Sequence, residues 1–206
     1  MSRYTGNRNR IARRFGVNIF GRARNPLLHK PNPPGVHGAR RRKKSDFGVQ
    51  MEEKQKLKAI YGMISEKQLI NCYKKASAKA ANTAQAFAEM LECRLDNIVY
   101  RLKFATTIFG AQQLVAHGHI LVNGKKVDIR SFQVRPGMVV SVREKSRTMK
   151  AIVEALDNSS REVPEYLSLE RDQFAGTLMA APLPEQMPWP LELNLAEICD
   201  FLSHNN

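Results

Sequence analysis

The stretch Gln113-Leu-Val-Ala-His-Gly-His-Ile-Leu-Val-Asn-Gly-Lys-Lys-Val127 decides how this chain folds. Its first residues close a helical pattern, and Gly118 suits the left-handed position just past a helix end. His119 to Val122 then reads as a strand. Asn123-Gly124 supplies the two positive φ angles of a type I′ turn, so Lys125 to Val127 returns as the hairpin partner. Upstream, Leu95, Ile98, Val99 and Leu102 form the apolar stripe of one helix, and Ile108 to His117 is a second. Downstream, Pro136-Gly137 turns the chain into the alternating strand Val139 to Arg143. A helix pair feeding a small curled sheet follows. Arg94, Asn97, Arg101 and Tyr100 are expected to project from the other faces of the first helix.

Further out, alternating charges from Phe47 to about Gly62 predict a surface helix. Ser65-Glu-Lys-Gln68 is a capping box opening the next helix, whose core face would hold Leu69, Ile70, Cys72 and Tyr73. Thr83 to Cys93 is a third, with Phe87, Met90 and Leu91 on one side. Residues 1–47 show no sustained period. Their interleaved Tyr4, Ile11, Phe15, Ile19, Phe20, Leu27 and Leu28 favour a compact arm that orders on a partner over a solvated tail. After residue 150 come a helical stretch Ala151 to Leu156, an extended piece around Tyr166 to Leu169, a proline-rich connection and a terminal helix Leu193 to Leu202. The expected class is α+β. A basic arm spans 1–47, a helical bundle 48–93, a helix-pair and curled-sheet module 94–157, and an acidic segment 158–206 packs back on the bundle.

Charge sorts the partners. The net charge is +14, but residues 1–50 carry +12 and residues 151–206 carry −8. A polyanion should therefore lie along the first three-quarters, because each cation set against a phosphate releases condensed counterions. Arg94, Arg101, Lys103, Lys125, Lys126 and Arg130 are grouped in the module, with few acids among them. His117 and His119 beside that hairpin would donate to phosphate or stack on a base. The acidic end, through Glu192, Glu197 and Asp200, is expected to meet other proteins.

No run approaches the roughly 18 apolar residues of a membrane span, so no membrane partner is expected. Pro31, Pro33, Pro34 and Gly35 interrupt the basic N-terminal region, which makes an organelle address the minority reading. Cys72, Cys93 and Cys199 are odd in number and far apart, which reads as reduced thiols without a disulfide framework. His117-Gly-His119 with Asp128 lacks the spacing of a metal site. No nucleophile elbow, paired carboxylates or phosphate-cradling glycine motif is present. Neither an enzyme nor a cofactor or metal is expected.

Several motifs now carry a family resemblance. Ser2-Arg-Tyr-Thr-Gly6, Pro33-Pro-Gly-Val-His-Gly38, Glu52-Glu-Lys-Gln-Lys-Leu-Lys58, Tyr61-Gly62, Ser65-Glu-Lys-Gln-Leu69, Arg94-Leu-Asp-Asn97, His117 to Gly124, Pro136-Gly137 and Val142-Arg-Glu-Lys145 occur in this order. In this the chain resembles the bacterial small-subunit ribosomal protein four family over nearly its whole length. The module alone would not separate it from pseudouridine synthases or from factors that rescue stalled large subunits. The first would need a far larger catalytic domain, and the second would not need the arm.

The resemblance implies direct binding of small-subunit ribosomal RNA near a junction of its 5′ domain, and nucleation of assembly. It also implies a seat beside small-subunit proteins three and five, at the pore where messenger RNA enters, with an influence on decoding accuracy and contact with messenger RNA. The implied location is the cytoplasmic ribosome, with the plastid as the lesser alternative. Combined with the charge pattern, the expected RNA contacts are Arg3, Arg10, Arg13, Arg14, Pro34, Gly35, His37, Gly38, the run Arg40, Arg41, Arg42, Lys43 and Lys44, then Lys54 and Lys56. In the module they are Arg94, Asn97, Arg101, Lys103, His117, His119, Asn123, Lys125 and Lys126. Three departures stand out. No cysteine precedes Cys72, where some members hold zinc; Ile108 and Gln112 occupy positions where the family commonly has arginine; and the chain ends His204-Asn-Asn206 without a basic residue.

Overall fold

The computed structural model describes residues 4–21, 24–40, 43–79, 81–159 and 161–204. They form an α+β protein of two compact units: Met1–Phe87 with Trp189–Asn206, and Ala88–Pro188.

The first unit opens with a helix absent from the sequence reading, α1 (Arg8–Phe15). It has no long apolar stripe, but both ends are defined: the Asn7 side chain accepts from the Asn9 N–H, and Gly16 takes the left-handed conformation. Arg13 then ties the arm together. Its Nε donates to the carbonyls of Lys30 and Asn32, each at 3.0 Å, so the Pro33–Gly38 loop begins against this helix. The arm is thus an ordered element with Ala12, Ile19 and Phe20 buried.

Helix α2 (Asp46–Ile60) is capped by Ser45, and α3 (Glu66–Lys79) starts where the Ser65 hydroxyl accepts from the Gln68 N–H. Leu69 and Ala76 are buried, while Ile70, Cys72 and Tyr73 are half-buried, so the core face of α3 is narrower than expected. The terminal helix α8 (Leu195–His204) packs on α2 and α3, burying Ile198, Phe201 and Leu202. Trp189 Nε1 donates to the hydroxyl of buried Tyr61 at 3.1 Å. Helix α4 (Thr83–Glu92) carries the chain from one unit into the other.

The second unit is built on α5 (Leu95–Arg101) and α6 (Ile108–Ala116), followed by β1 (Ile120–Val122), β2 (Lys125–Lys126) and β3 (Val139–Val142). Asn123 and Gly124 adopt φ of 47° and 77°, the left-handed pair that the tight turn demands. After α7 (Lys150–Asp157) come β4 (Leu167–Glu170) and β5 (Ala175–Leu178), completing an antiparallel sheet of order β2-β1-β3-β5-β4. The expectation that all of 158–206 returns to the first bundle is corrected here. Residues up to Pro188 belong to the module, because β5 pairs with β3 and extends its sheet. Only the part containing α8 joins the first unit.

Gly176 makes that extension possible. A Cβ there would lie 2.3 Å from Leu102 Cδ2 and 2.9 Å from the Ser168 carbonyl. Leu102 is fully buried and Ser168 offers backbone, so neither yields easily. Gly176→Ala should cost about 1–3 kcal/mol. Chemical denaturation checks this, and an unchanged midpoint would show that β5 shifts freely.

Candidate nucleic-acid interface

Helix α5 carries polar groups inward: Asp96, Asn97 and Arg101 are all buried. Glu92 is fully buried and is the hub. Arg101 Nε reaches its Oε1 at 2.6 Å, the Tyr166 hydroxyl donates to the same oxygen at 2.7 Å, and Asn97 Nδ2 donates to its backbone carbonyl at 2.9 Å. Arg101 Nη1 also reaches the Pro188 carbonyl. Burial, reinforced by the Glu92 charge, pushes the Tyr166 phenol far above its ordinary value, so it stays a donor. Arg94, only 4% exposed, forks onto Asp96 through Nε at 3.1 Å and Nη2 at 3.0 Å. The expectation that Arg94, Asn97 and Arg101 project is therefore overturned. Buried charge is costly unless paired and hydrogen-bonded, and these three are held by acids and a carbonyl within the unit. Acids are sparse around them, as the sequence shows, but the few present are those they need.

Lys54 and Lys56, also expected on RNA, are engaged by acids of the first unit. Lys54 Nζ meets Glu66 at 2.6 Å and lies over the Phe201 ring, while Lys56 is paired with Glu53. Burial would raise the Glu66 carboxyl, but hydrogen bonds and charge from Lys54 and Lys58 outweigh it and hold the pKa below its ordinary value. Lys44 is ion-paired with Glu52 although more than half exposed. Arg13 is spent on the loop carbonyls. Glu197, expected at a protein interface, is half-buried and caps α8 reciprocally with Asn194, leaving Glu192 and Asp200 exposed. Arg3, Arg41 and Arg42 lie outside the described residues.

What remains open to a polyanion is more compact than the sequence suggested. In the arm, Arg10, Arg14, His37, Arg40 and Lys43 are exposed around Gly35 and the half-buried Pro34 and Gly38. A Cβ on Gly38 would stand 2.0 Å from the Pro33 carbonyl, so this loop closes on itself only with glycine. In the module, His117, Asn123, Lys125 and Lys126 are exposed on the hairpin and its approach. The Asn123 backbone and Oδ1 both bond Val139, each at 2.8 Å, which fixes the turn to the sheet. Arg143 and Lys145, just past the end of β3, are exposed as well and were not among the expected contacts. The motif Val142-Arg-Glu-Lys145 was visible; what was missing is that Ile120 pairs with Val142 and so brings that end of β3 to the hairpin.

His119 is the one half-buried member, its Nδ1 2.9 Å from the Ser146 hydroxyl. Burial, then the charges of His117 and Arg143, lower its pKa. The unfolded chain therefore binds the proton more readily, and stability falls as pH drops below the ordinary imidazole value of about 6.5. His119→Gln should flatten the loss of thermal stability as pH falls below about 6.5. An identical pH slope in the variant would remove His119 as its source.

Among the described residues no group of His, Cys, Asp and Glu is arranged to hold a metal, and no helix is long and apolar enough to cross a membrane. The arm with its bundle and the hairpin module also have known counterparts. The family description "Ribosomal protein S4/S9 N-terminal domain" matches residues 3–92, and "S4 domain" matches residues 93–140. The small ribosomal subunit protein uS4 of Protochlamydia amoebophila is 75% identical over 205 residues, covering 100% of both chains. The chain belongs to the ribosomal protein S4 family. Within it, uS4 of Chlamydia trachomatis serovar D is 62% identical and that of Chlamydia felis 58%, each over 207 residues and 99% of both chains.

Proposed function

We propose that this chain is a structural constituent of the small ribosomal subunit that binds small-subunit ribosomal RNA directly in the 5′ domain. On this reading it nucleates assembly of the subunit body in the cytoplasmic ribosome. It also sits beside small-subunit proteins three and five, near the pore where messenger RNA enters, and contributes to decoding accuracy. The observation that carries the reading is the hairpin and the end of β3: Lys125 and Lys126 stand exposed on β2, and Arg143 and Lys145 just past β3, in a sheet whose turn is pinned by Asn123. Cations on rigid elements place phosphates without first losing their own conformational freedom. The acidic Glu192 and Asp200 repel RNA and supply the surface for neighbouring proteins.

Two measurements test this. Hydroxyl-radical footprinting of purified protein on naked small-subunit RNA should protect a compact 5′-domain site. Sedimentation after a high-salt wash should leave the chain on small subunits in stoichiometric amount. Absence from the washed subunits would end the proposal.

A further inference from the structure

Residues 151–206 contain ten acids and only two basic residues, Arg161 and Arg171. Arg161 bonds the turn that holds Lys103, and the charge of Arg171 acts on the same lysine. Arg161 stacks 4.2 Å from the Tyr100 ring centroid and donates from Nη1 to the Tyr100 carbonyl at 3.0 Å and from Nη2 to the Ala105 carbonyl at 2.7 Å. It thereby braces the turn after α5, where Lys103 sits in the left-handed region at φ 64°. That conformation is strained for a residue with a Cβ. Arg171 lies in the turn between β4 and β5, and Gly176 of β5 sits against Leu102, the residue before Lys103.

Lys103 is only 4% exposed, yet among the described residues no hydrogen bond or ion pair engages its ammonium. Among the described residues every fully enclosed side-chain nitrogen or oxygen has a partner, so what little of Lys103 stays open includes Nζ. Burial and then the charges of Arg171 and Arg161 lower its pKa, and the charge of Asp157 opposes them more weakly. Like charge on Lys103, Arg161 and Arg171, opposed only weakly by Asp157, is an arrangement that a bound anion would relieve.

We propose that Lys103, Arg161 and Arg171 form a seat for a phosphate group, distinct from the hairpin face. Arg171 lies at the β4–β5 end of the sheet and the hairpin at the β2 edge, four strand spacings or roughly 19 Å apart. A ligand reaching both would be an extended polyphosphate such as an RNA backbone. This deepens the RNA-binding reading above and rests on it for the source of the phosphate. Arg161 positions the turn, while Lys103 and Arg171 supply charge.

The test uses the full chain with inorganic phosphate as probe, followed by amide NMR. Phosphate should shift the Lys103 and Arg171 amides, with at least a tenfold weaker response in Lys103→Asn and in Arg171→Gln. Asparagine tolerates the left-handed conformation, so Lys103→Asn should unfold at a higher temperature than the native chain while losing phosphate. A merely structural lysine would lose stability instead. In a second arm, the double variant should show a salt slope for small-subunit RNA smaller by about 1–2 units. RNA binding with the native slope, beside an intact phosphate response in the native chain, keeps the seat and assigns it to free phosphate. Loss of RNA binding only in hairpin variants leaves the proposed function standing. Phosphate that moves neither amide, or moves them equally in the variants, overturns the seat.

Discussion

Arg101→Ala should destabilise the Ala88–Pro188 unit by about 3–5 kcal/mol, the range for removing one partner of a buried ion pair. Glu92 is wholly buried, and without Arg101 its carboxylate keeps the Tyr166 hydroxyl but loses both guanidinium contacts. Thermal unfolding should start at least about 12 °C lower. Replacing both charges, Glu92→Leu with Arg101→Met, should recover most of that loss, since an apolar pair of similar volume avoids the desolvation cost. The double variant separates scaffold from interface. If it folds and binds RNA with an unchanged salt slope, Arg101 acts only within the protein. If it folds but loses about one unit of slope, Arg101 reaches a phosphate after all.

This pair also shows where reading a sequence stops. The hairpin was legible because Asn123-Gly124 determines its own backbone, and Gly118 likewise marks the end of α6 without help from distant residues. The stripe Leu95, Ile98, Val99 and Leu102 was legible for the same local reason and is fully buried. Arg94, Asn97 and Arg101 looked like the solvent face of that helix because helical periodicity assigns polar residues outward. A seven-residue helix, however, is walled on several sides, by the bridge between Arg94 and Gln133 and by Glu92, which Tyr166 reaches from 74 positions along the chain. Local pattern carries no record of such partners. Strand β5 escaped notice because Ala175-Gly176-Thr177 has weak strand character, and its place depends on fitting glycine against Leu102. Helix α1 was the avoidable miss, since Asn7 and Gly16 stand at its two ends as capping residues do.

The burial of those arginines concentrates the expected RNA affinity of the module onto fewer residues. Changing Lys125, Lys126, Arg143 and Lys145 together to glutamine should reduce the slope of log K against log salt by up to about 3.6, at about 0.9 per phosphate contact. Because that contribution vanishes near 1 M salt, the same arithmetic gives a loss of affinity on the order of 10³-fold at 0.1 M. Stability should change little. All four side chains are exposed, and among the described residues their one ion pair, Lys126 with Asp128 at 3.8 Å, is more than half exposed on both sides and worth at most about 1 kcal/mol. A fold-neutral loss of this size would place the module's phosphate grip on the hairpin and the end of β3. A native slope in the quadruple variant would mean that the exposed cations are solvated and that the arm carries the RNA. Arg10, Arg14, Arg40 and Lys43 would then be the set to neutralise next, because all four are exposed and, unlike Lys44, are not ion-paired among the described residues.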